Sequence, residues 1–137
     1  MRRRNSLLPT WMTLAMLGAV LPSQAAQGIA GPRSEAELRG FYQRSCIGCH
    51  GEDGSATAPD GRKLKGRDFT SDKDMAGTTD QGLAKTIRKG LFFGMAMPAY
   101  KNDLSEEEAL ILVRDILRKV RRGTPIHGPE ATTARSR

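Results

Sequence analysis

The sequence of 137 residues contains little cysteine, histidine or aromatic side chain. It has two cysteines, two histidines and one tryptophan, and aromatic residues make up 5% of the chain. Two cysteines form at most one disulfide, so a scaffold held together by several disulfides is excluded. No apolar run approaches the roughly 20 residues that a membrane-spanning helix needs. We also find no strand pattern, no internal repeat and no set of residues typical of a Ser/His/Asp hydrolase.

Both cysteines lie in one five-residue motif, Cys46-Ile47-Gly48-Cys49-His50. This C-x-x-C-H pattern is the attachment signal for c-type haem. Its two thiols can each add to one vinyl group of the porphyrin, and the histidine that follows directly is then held where it can ligate the iron. The motif predicts one covalently bound haem c, with thioether bonds from Cys46 and Cys49 and with His50 as an axial ligand.

Two other kinds of site use a similar cysteine pair. A structural zinc site needs four ligands, and here it would have to recruit His127, the second histidine, or a carboxylate. A thioredoxin-like redox pair belongs in a strand–helix–strand setting, which the sequence around Cys46 does not have. Haem is the favoured interpretation, with zinc and dithiol chemistry as the alternatives.

The N-terminus predicts export. Arg2, Arg3 and Arg4 form a positive region, Trp11 to Leu21 is an apolar run, and Ser23-Gln24-Ala25 provides small residues for cleavage. We therefore expect residues 1–25 to be a secretory signal peptide cleaved after Ala25, which places the protein in the periplasm. The alternative is an uncleaved anchor, for which the apolar run is short.

The formal net charge of +7 is distributed unevenly. Residues 118–137 hold six Lys or Arg against one acidic residue, whereas the rest of the chain beyond the signal is nearly balanced. We divide the exported part into a lead-in at 26–33, a folded domain at 34–122 and a basic flexible tail at 123–137. Export, few aromatics and a balanced body argue against nucleic acid, so the tail is a solvated end or a docking patch for an acidic partner or an anionic membrane surface.

Periodic segments predict an all-α fold. A first helix should begin at Ser34, which forms a capping box with Glu37, and its apolar face leads into Cys46. Residues 51–68 are rich in Gly, Asp, Ser and Pro and predict an extended loop.

Two further helices follow. The first runs from about Thr79 to Lys89, with Thr78 and Gln81 as its predicted cap. The last has a capping box at Ser105 and Glu108, and a continuous apolar stripe reaches Val120.

Met97 is the best candidate for a second axial ligand of the iron. It precedes Pro98, which restricts the backbone of Met97 to an extended conformation, and Gly94 would allow a close approach to a flat ring. Met75, Met95 and His127 are the other side chains considered. Methionine in an apolar loop is otherwise ordinary packing.

The segments CIGCHG, TDQGLAKTIRKG, GMAMPAY and LSEEEALILV together resemble class I c-type cytochromes, in particular small monohaem bacterial domains similar to the cytochrome c subunit of cbb3-type oxidases. The resemblance covers about residues 34–120. It implies a compact all-α cytochrome c fold of three to five helices around one haem, with His50 as the proximal and Met97 as the distal ligand. It also implies that a proline carbonyl, here that of Pro59, accepts a hydrogen bond from the proximal imidazole.

The function expected is electron transfer rather than enzymatic catalysis. The leading hypothesis is a periplasmic carrier of single electrons between redox proteins, such as a dehydrogenase as donor and an oxidase or another cytochrome as acceptor. One alternative is a dedicated cytochrome subunit docked to a periplasmic dehydrogenase or terminal oxidase. Another is a haem enzyme or gas-binding protein with an open sixth site. Four basic side chains are candidates for steering an acidic partner or for pairing with the haem propionates, with ordinary solvated surface charge as the alternative: Lys63, Lys65, Arg67 and Lys101.

Overall fold

The computed structural model describes residues 31–127, so the predicted signal peptide, most of the lead-in and residues 128–137 lie outside it. Within that range the chain forms five α-helices and no β-strand beyond two isolated bridges. The helices are α1 (Glu35–Ser45), α2 (Ile47–His50), α3 (Asp72–Met75), α4 (Asp80–Lys89) and α5 (Glu106–Ile111). The predicted all-α class is confirmed.

Helix α1 delivers the motif to the core. Ser34 and Glu37 form the predicted capping box, in which each side chain accepts from the other residue's backbone N–H. The apolar face is buried through Leu38, Phe41 and Tyr42. The Tyr42 hydroxyl donates to the backbone oxygen of Gly51 at 2.8 Å, so α1 is tied to the chain directly after the motif.

Helix α4 matches its predicted extent, but the predicted cap is wrong. Thr79, not Thr78, is the N-cap, and its hydroxyl accepts from the backbone N–H of Gly82 at 3.0 Å. Thr78 instead donates its hydroxyl to the backbone oxygen of Met75. Leu83 and Ile87 are buried on one face of the helix, as expected from their spacing.

The last helix begins as predicted but is not one regular α-helix. Ser105 and Glu108 form the expected capping box. After Ile111 the chain continues as a π-helical segment (Leu112–Ile116) and a short 3-10 turn (Leu117–Lys119). The wider π turn interrupts the regular repeat, and Leu112, Val113, Ile116 and Leu117 are all buried. These side chains form the centre of the core with α1 and α4.

The long loop after the motif is present, and a short helix follows it. Residues 51–68 contain turns and bends without regular structure. Helix α3, which was not predicted, is capped by the Ser71 hydroxyl, which accepts from the backbone N–H of Asp74.

The chain beyond the last helix returns to this loop. Ile126 is 3% exposed, and its backbone N–H donates to the backbone oxygen of Glu52 at 2.8 Å. The backbone N–H of Gly123 donates to the Asp53 carboxylate. Residues 123–127, assigned to the tail from the sequence, therefore contact the folded body. Among residues 31–127 no helix is long and apolar enough to cross a bilayer.

Candidate haem site

Residues from distant parts of the sequence line one cleft of about 280 Å³. The motif contributes Cys46, Cys49 and His50, and the segment 91–98 contributes Met97. The remaining walls are largely apolar. They are formed by side chains of α4, of the start of segment 91–98, of the residue after the post-motif loop and of the 3-10 turn: Leu83 and Ile87, Leu91, Phe69, and Leu117. The structure therefore brings all four site residues predicted from the sequence to a single cleft.

The imidazole of His50 is buried and held by one backbone carbonyl. Its Nδ1 lies 3.0 Å from the backbone oxygen of Arg67. Because a carbonyl oxygen only accepts, Nδ1 carries the hydrogen and Nε2 keeps its lone pair. Burial lowers the pKa of His50, which favours the neutral ring that a metal requires.

The carbonyl that was expected in this role belonged to Pro59, and that expectation is wrong. Pro59 is exposed and lies in the turn before Gly61, whereas Arg67 is brought to the imidazole by its neighbour Gly66. The backbone N–H of Gly66 donates to the oxygen of Cys49 at 2.8 Å. A Cβ on Gly66 would lie 2.6 Å from Nδ1 of His50, so this approach requires glycine.

An aromatic ring covers one face of the imidazole. Phe69 stacks on His50 with ring centroids 4.6 Å apart and an angle of 15° between the planes. The backbone N–H of Phe69 donates to the oxygen of Gly54 at 2.8 Å, which fixes the backbone from which the aromatic side chain extends.

The two thiols differ in exposure. Cys46 is half-buried and Cys49 is exposed at the mouth of the cleft. Burial raises the pKa of the Cys46 thiol to about 12, the opposite of the lowered pKa that activates a redox dithiol. Within the described part of the chain no three His, Cys, Asp or Glu side chains are grouped as a metal site would need. The donor set therefore fits haem attachment better than zinc or dithiol chemistry.

A closed loop carries Met97 into the cleft. The backbone N–H of Leu91 donates to the oxygen of Met97 at 3.0 Å, which joins the two ends of the loop. Gly90 packs closely against the backbone oxygen of Met97, which a Cβ at this position would approach to 2.6 Å. Met95 is 84% exposed and does not line the cleft, so the loop separates the two methionines.

Apolar side chains also project from this loop into solvent. Phe92 and Phe93 are 74% and 105% exposed, and both adopt the left-handed backbone region, with φ of 50° and 56°. That conformation is unfavourable for a bulky residue and persists only where the surrounding structure holds the backbone in place.

The cleft suits a flat, largely apolar group attached through two thioethers. It combines an apolar lining, two thiols spaced by two residues, and a buried imidazole with an available Nε2. Sequence reasoning missed Gly66, Arg67 and Phe69 as parts of this site. A glycine between two basic residues is only a weak signal that Gly66 lies close to His50.

The chain matches a known protein family and is similar to solved structures. Residues 33–114 match the protein family described as "Cytochrome C oxidase, cbb3-type, subunit III". Among solved structures, the chain is similar to the KustC0563 c-type cytochrome, with 30% identity, a TM-score of 0.49, and coverage of 61% of this chain and 96% of that one. It is also similar to a tyrosine-to-phenylalanine mutant of Kustc0563, with 28% identity, a TM-score of 0.47, and coverage of 60% and 95%. No curated protein matches the chain.

Proposed function

The chain belongs to the cytochrome c family of cbb3-type oxidase subunit III, whose domains bind haem c covalently and transfer electrons, and from that premise we propose that it is a periplasmic carrier of single electrons with His/Met-ligated iron. The observation that carries the proposal is that His50, Met97 and both cysteines line one cleft.

Each residue has a defined part in this proposal. Cys46 and Cys49 bond to the porphyrin, which keeps the group attached in either oxidation state. His50 ligates through Nε2, while the Arg67 carbonyl holds the tautomer and raises the basicity of the ring. Met97 ligates from its loop with a thioether sulfur, which favours the reduced state and raises the reduction potential.

The fold suits electron transfer because it limits rearrangement. The bound group supplies a one-electron couple between ferrous and ferric iron. The motif is tied to α1 by Tyr42, and the loop of Met97 is closed at Leu91, so neither ligand has to move when the charge changes. The apolar side chains of Leu83, Ile87 and Leu117, which line the cleft, would exclude water from the part of a bound ring that they cover.

Steering of a partner is proposed from the charges near the cleft. Lys65 and Arg67 are exposed and line its mouth, and Lys63 and Lys101 are also exposed. None of the four forms an ion pair with a carboxylate of residues 31–127, so their charges remain available to an acidic partner. Export to the periplasm follows from the signal predicted at residues 1–25.

A redox titration of the haem-loaded protein followed by absorption tests this proposal. We expect one reversible one-electron step, a low-spin spectrum and, in the oxidised form, the far-red charge-transfer band of methionine bound to iron. A high-spin spectrum with ready binding of carbon monoxide would contradict it and would favour the open-site enzyme or gas-binding alternative.

The second candidate is a dedicated subunit docked to a dehydrogenase or oxidase. The exposed side chains of Phe92, Phe93 and Met95 favour it, because apolar groups grouped on one loop are typical of a contact surface. Residues 128–137, which add Arg135 and Arg137, are the basic segment to test beside that loop.

Co-purification separates a free carrier from a docked subunit. A docked subunit should bring a redox partner through purification, and Phe93→Ser or removal of residues 128–137 should release it. The cut must follow His127, since an earlier one removes the buried Ile126. A wild-type protein that purifies without a partner, in gentle extraction at low salt, would contradict this candidate.

A further inference from the structure

Phe69 covers one face of the His50 imidazole, whereas the Arg67 carbonyl contacts only the edge of the ring, at Nδ1. A single hydrogen bond at Nδ1 fixes the tautomer, but the imidazole can still tilt about the line between Nδ1 and the carbonyl oxygen. A parallel ring at 4.6 Å blocks that tilt on the side it covers. Two restraints in different directions therefore act on one ring.

We infer that Phe69 is a positioning residue that sets the plane of the His50 imidazole relative to the porphyrin. The inference rests on the proposed role of His50 as an axial ligand. Phe69 does this without touching the iron, by excluding the tilted orientations of the ring that the Arg67 hydrogen bond alone would permit.

Phe69 can act in this way because its own position is over-determined. Its backbone N–H is bonded to Gly54, and its side chain lies over that glycine, where a Cβ would meet the ring at 3.4 Å. The neighbouring Asp68 accepts from both the backbone N–H and the hydroxyl of Thr70, at 2.9 and 2.6 Å. Asp68 is also paired with Arg122, just after the last helix.

These contacts place both restraints on one short segment. Arg67 supplies the carbonyl and Phe69 the stacked ring, while Asp68 between them is anchored to a distant part of the fold. Both restraints on the imidazole therefore come from residues 67–69, outside the motif.

The orientation of an axial imidazole has a spectroscopic signature of its own. In low-spin ferric haem, the orientation of the two axial ligands, the plane of the imidazole among them, lifts the degeneracy of the iron d orbitals and decides how unpaired spin spreads over the porphyrin. Proton NMR of the four haem methyl groups reads that distribution. Ligand identity, by contrast, is read by the absorption spectrum, so a wrong ligand and a wrong orientation give different results.

The experiment compares Phe69→Leu with Phe69→Tyr in the haem-loaded ferric protein. Leucine keeps an apolar side chain but has no flat face, whereas tyrosine keeps the ring. We expect both variants to retain the wild-type absorption spectrum. Phe69→Leu should shift the haem methyl resonances and change their order or spread, and Phe69→Tyr should keep the wild-type pattern.

Phe41→Leu is the matched control. It makes the same substitution at a buried aromatic residue that does not line the cleft itself and reaches it only through a contact with Tyr100. It should leave the methyl pattern unchanged even if it destabilises the fold. A wild-type pattern in Phe69→Leu, or an equal shift in Phe41→Leu, would overturn the inference.

If Phe69→Leu does not load haem, a structure of the haem-loaded wild type decides instead. The two rings must then remain stacked and near-parallel. A Phe69 ring that has moved off the imidazole would overturn the inference, whereas loss of the far-red methionine band with the stack intact would count against the proposed ligation only.

Discussion

Replacement of Gly66 by alanine tests the contact that builds the proximal side of the site. A Cβ at this position would meet the backbone oxygen and carbon of Cys49 and would lie 2.6 Å from Nδ1 of His50. Real Cβ atoms essentially never come within 3.0 Å of such atoms, so the segment must move by several tenths of an ångström. That movement separates the backbone N–H of Gly66 from the oxygen of Cys49, now 2.8 Å apart.

The expected cost follows from two effects. Overpacking costs about 1–3 kcal/mol, and a weakened backbone hydrogen bond adds about 1 kcal/mol. A loss of about 2–4 kcal/mol in the free energy of unfolding lowers the Tm of a domain of this size by about 10–20 °C.

Thermal unfolding of the haem-loaded Gly66→Ala variant, followed by circular dichroism, measures this loss. Gly31→Ala is the matched control, since no atom lies within 4 Å of the added Cβ. A Tm for Gly66→Ala equal to that of the control would refute the close packing of this segment on the motif.

Three further predictions concern stability and steering. The Glu108 carboxylate is hydrogen-bonded and ion-paired to Arg33, which lowers its pKa to about 2. The stabilisation of the fold by this ion pair is therefore complete above the ordinary pKa of 4.5 and is lost as the pH falls through about 2. Glu108→Gln should therefore lower the free energy of unfolding, measured with urea, by about 1–2 kcal/mol at pH 7 and by less than half as much at pH 3; an equal loss at both pH values would contradict this. Tyr100→Phe removes the hydrogen bond from the hydroxyl to the backbone oxygen of Ser45, and the free energy of unfolding in urea should fall by about 1 kcal/mol. An unchanged urea midpoint would contradict this prediction. The rate of electron transfer to an acidic redox protein, measured by stopped flow, should fall as salt shortens the Debye length from about 30 Å to about 8 Å, and less steeply in Lys65→Gln; a flat salt dependence removes the steering proposal.

Local signals in the sequence predict where the first and last helices begin. Ser34 with Glu37 and Ser105 with Glu108 are confirmed because a capping box is decided by residues three apart. The same signal, a serine three residues before an acidic side chain, is present at Ser71 and would have located α3.

Other features depend on tertiary packing. The apolar stripe after Glu108 is compatible with either α or π hydrogen bonding, and the choice is made where Leu112 and Ile116 meet the rest of the core. Local sequence signals also could not predict that the imidazole contacts the carbonyl of Arg67 and not that of Pro59. This contact depends on the path of a long loop that brings Gly66 back onto Cys49.

In the proposed site Met97, and not Met95, completes the coordination of the iron. The most direct measurement is the far-red absorption of the oxidised haem-loaded protein in Met97→Leu and Met95→Leu, since leucine keeps the apolar bulk and removes the sulfur. We predict that the methionine–iron band disappears in Met97→Leu and persists in Met95→Leu, whose side chain is exposed. A band that survives in Met97→Leu would show that Met97 is not the ligand.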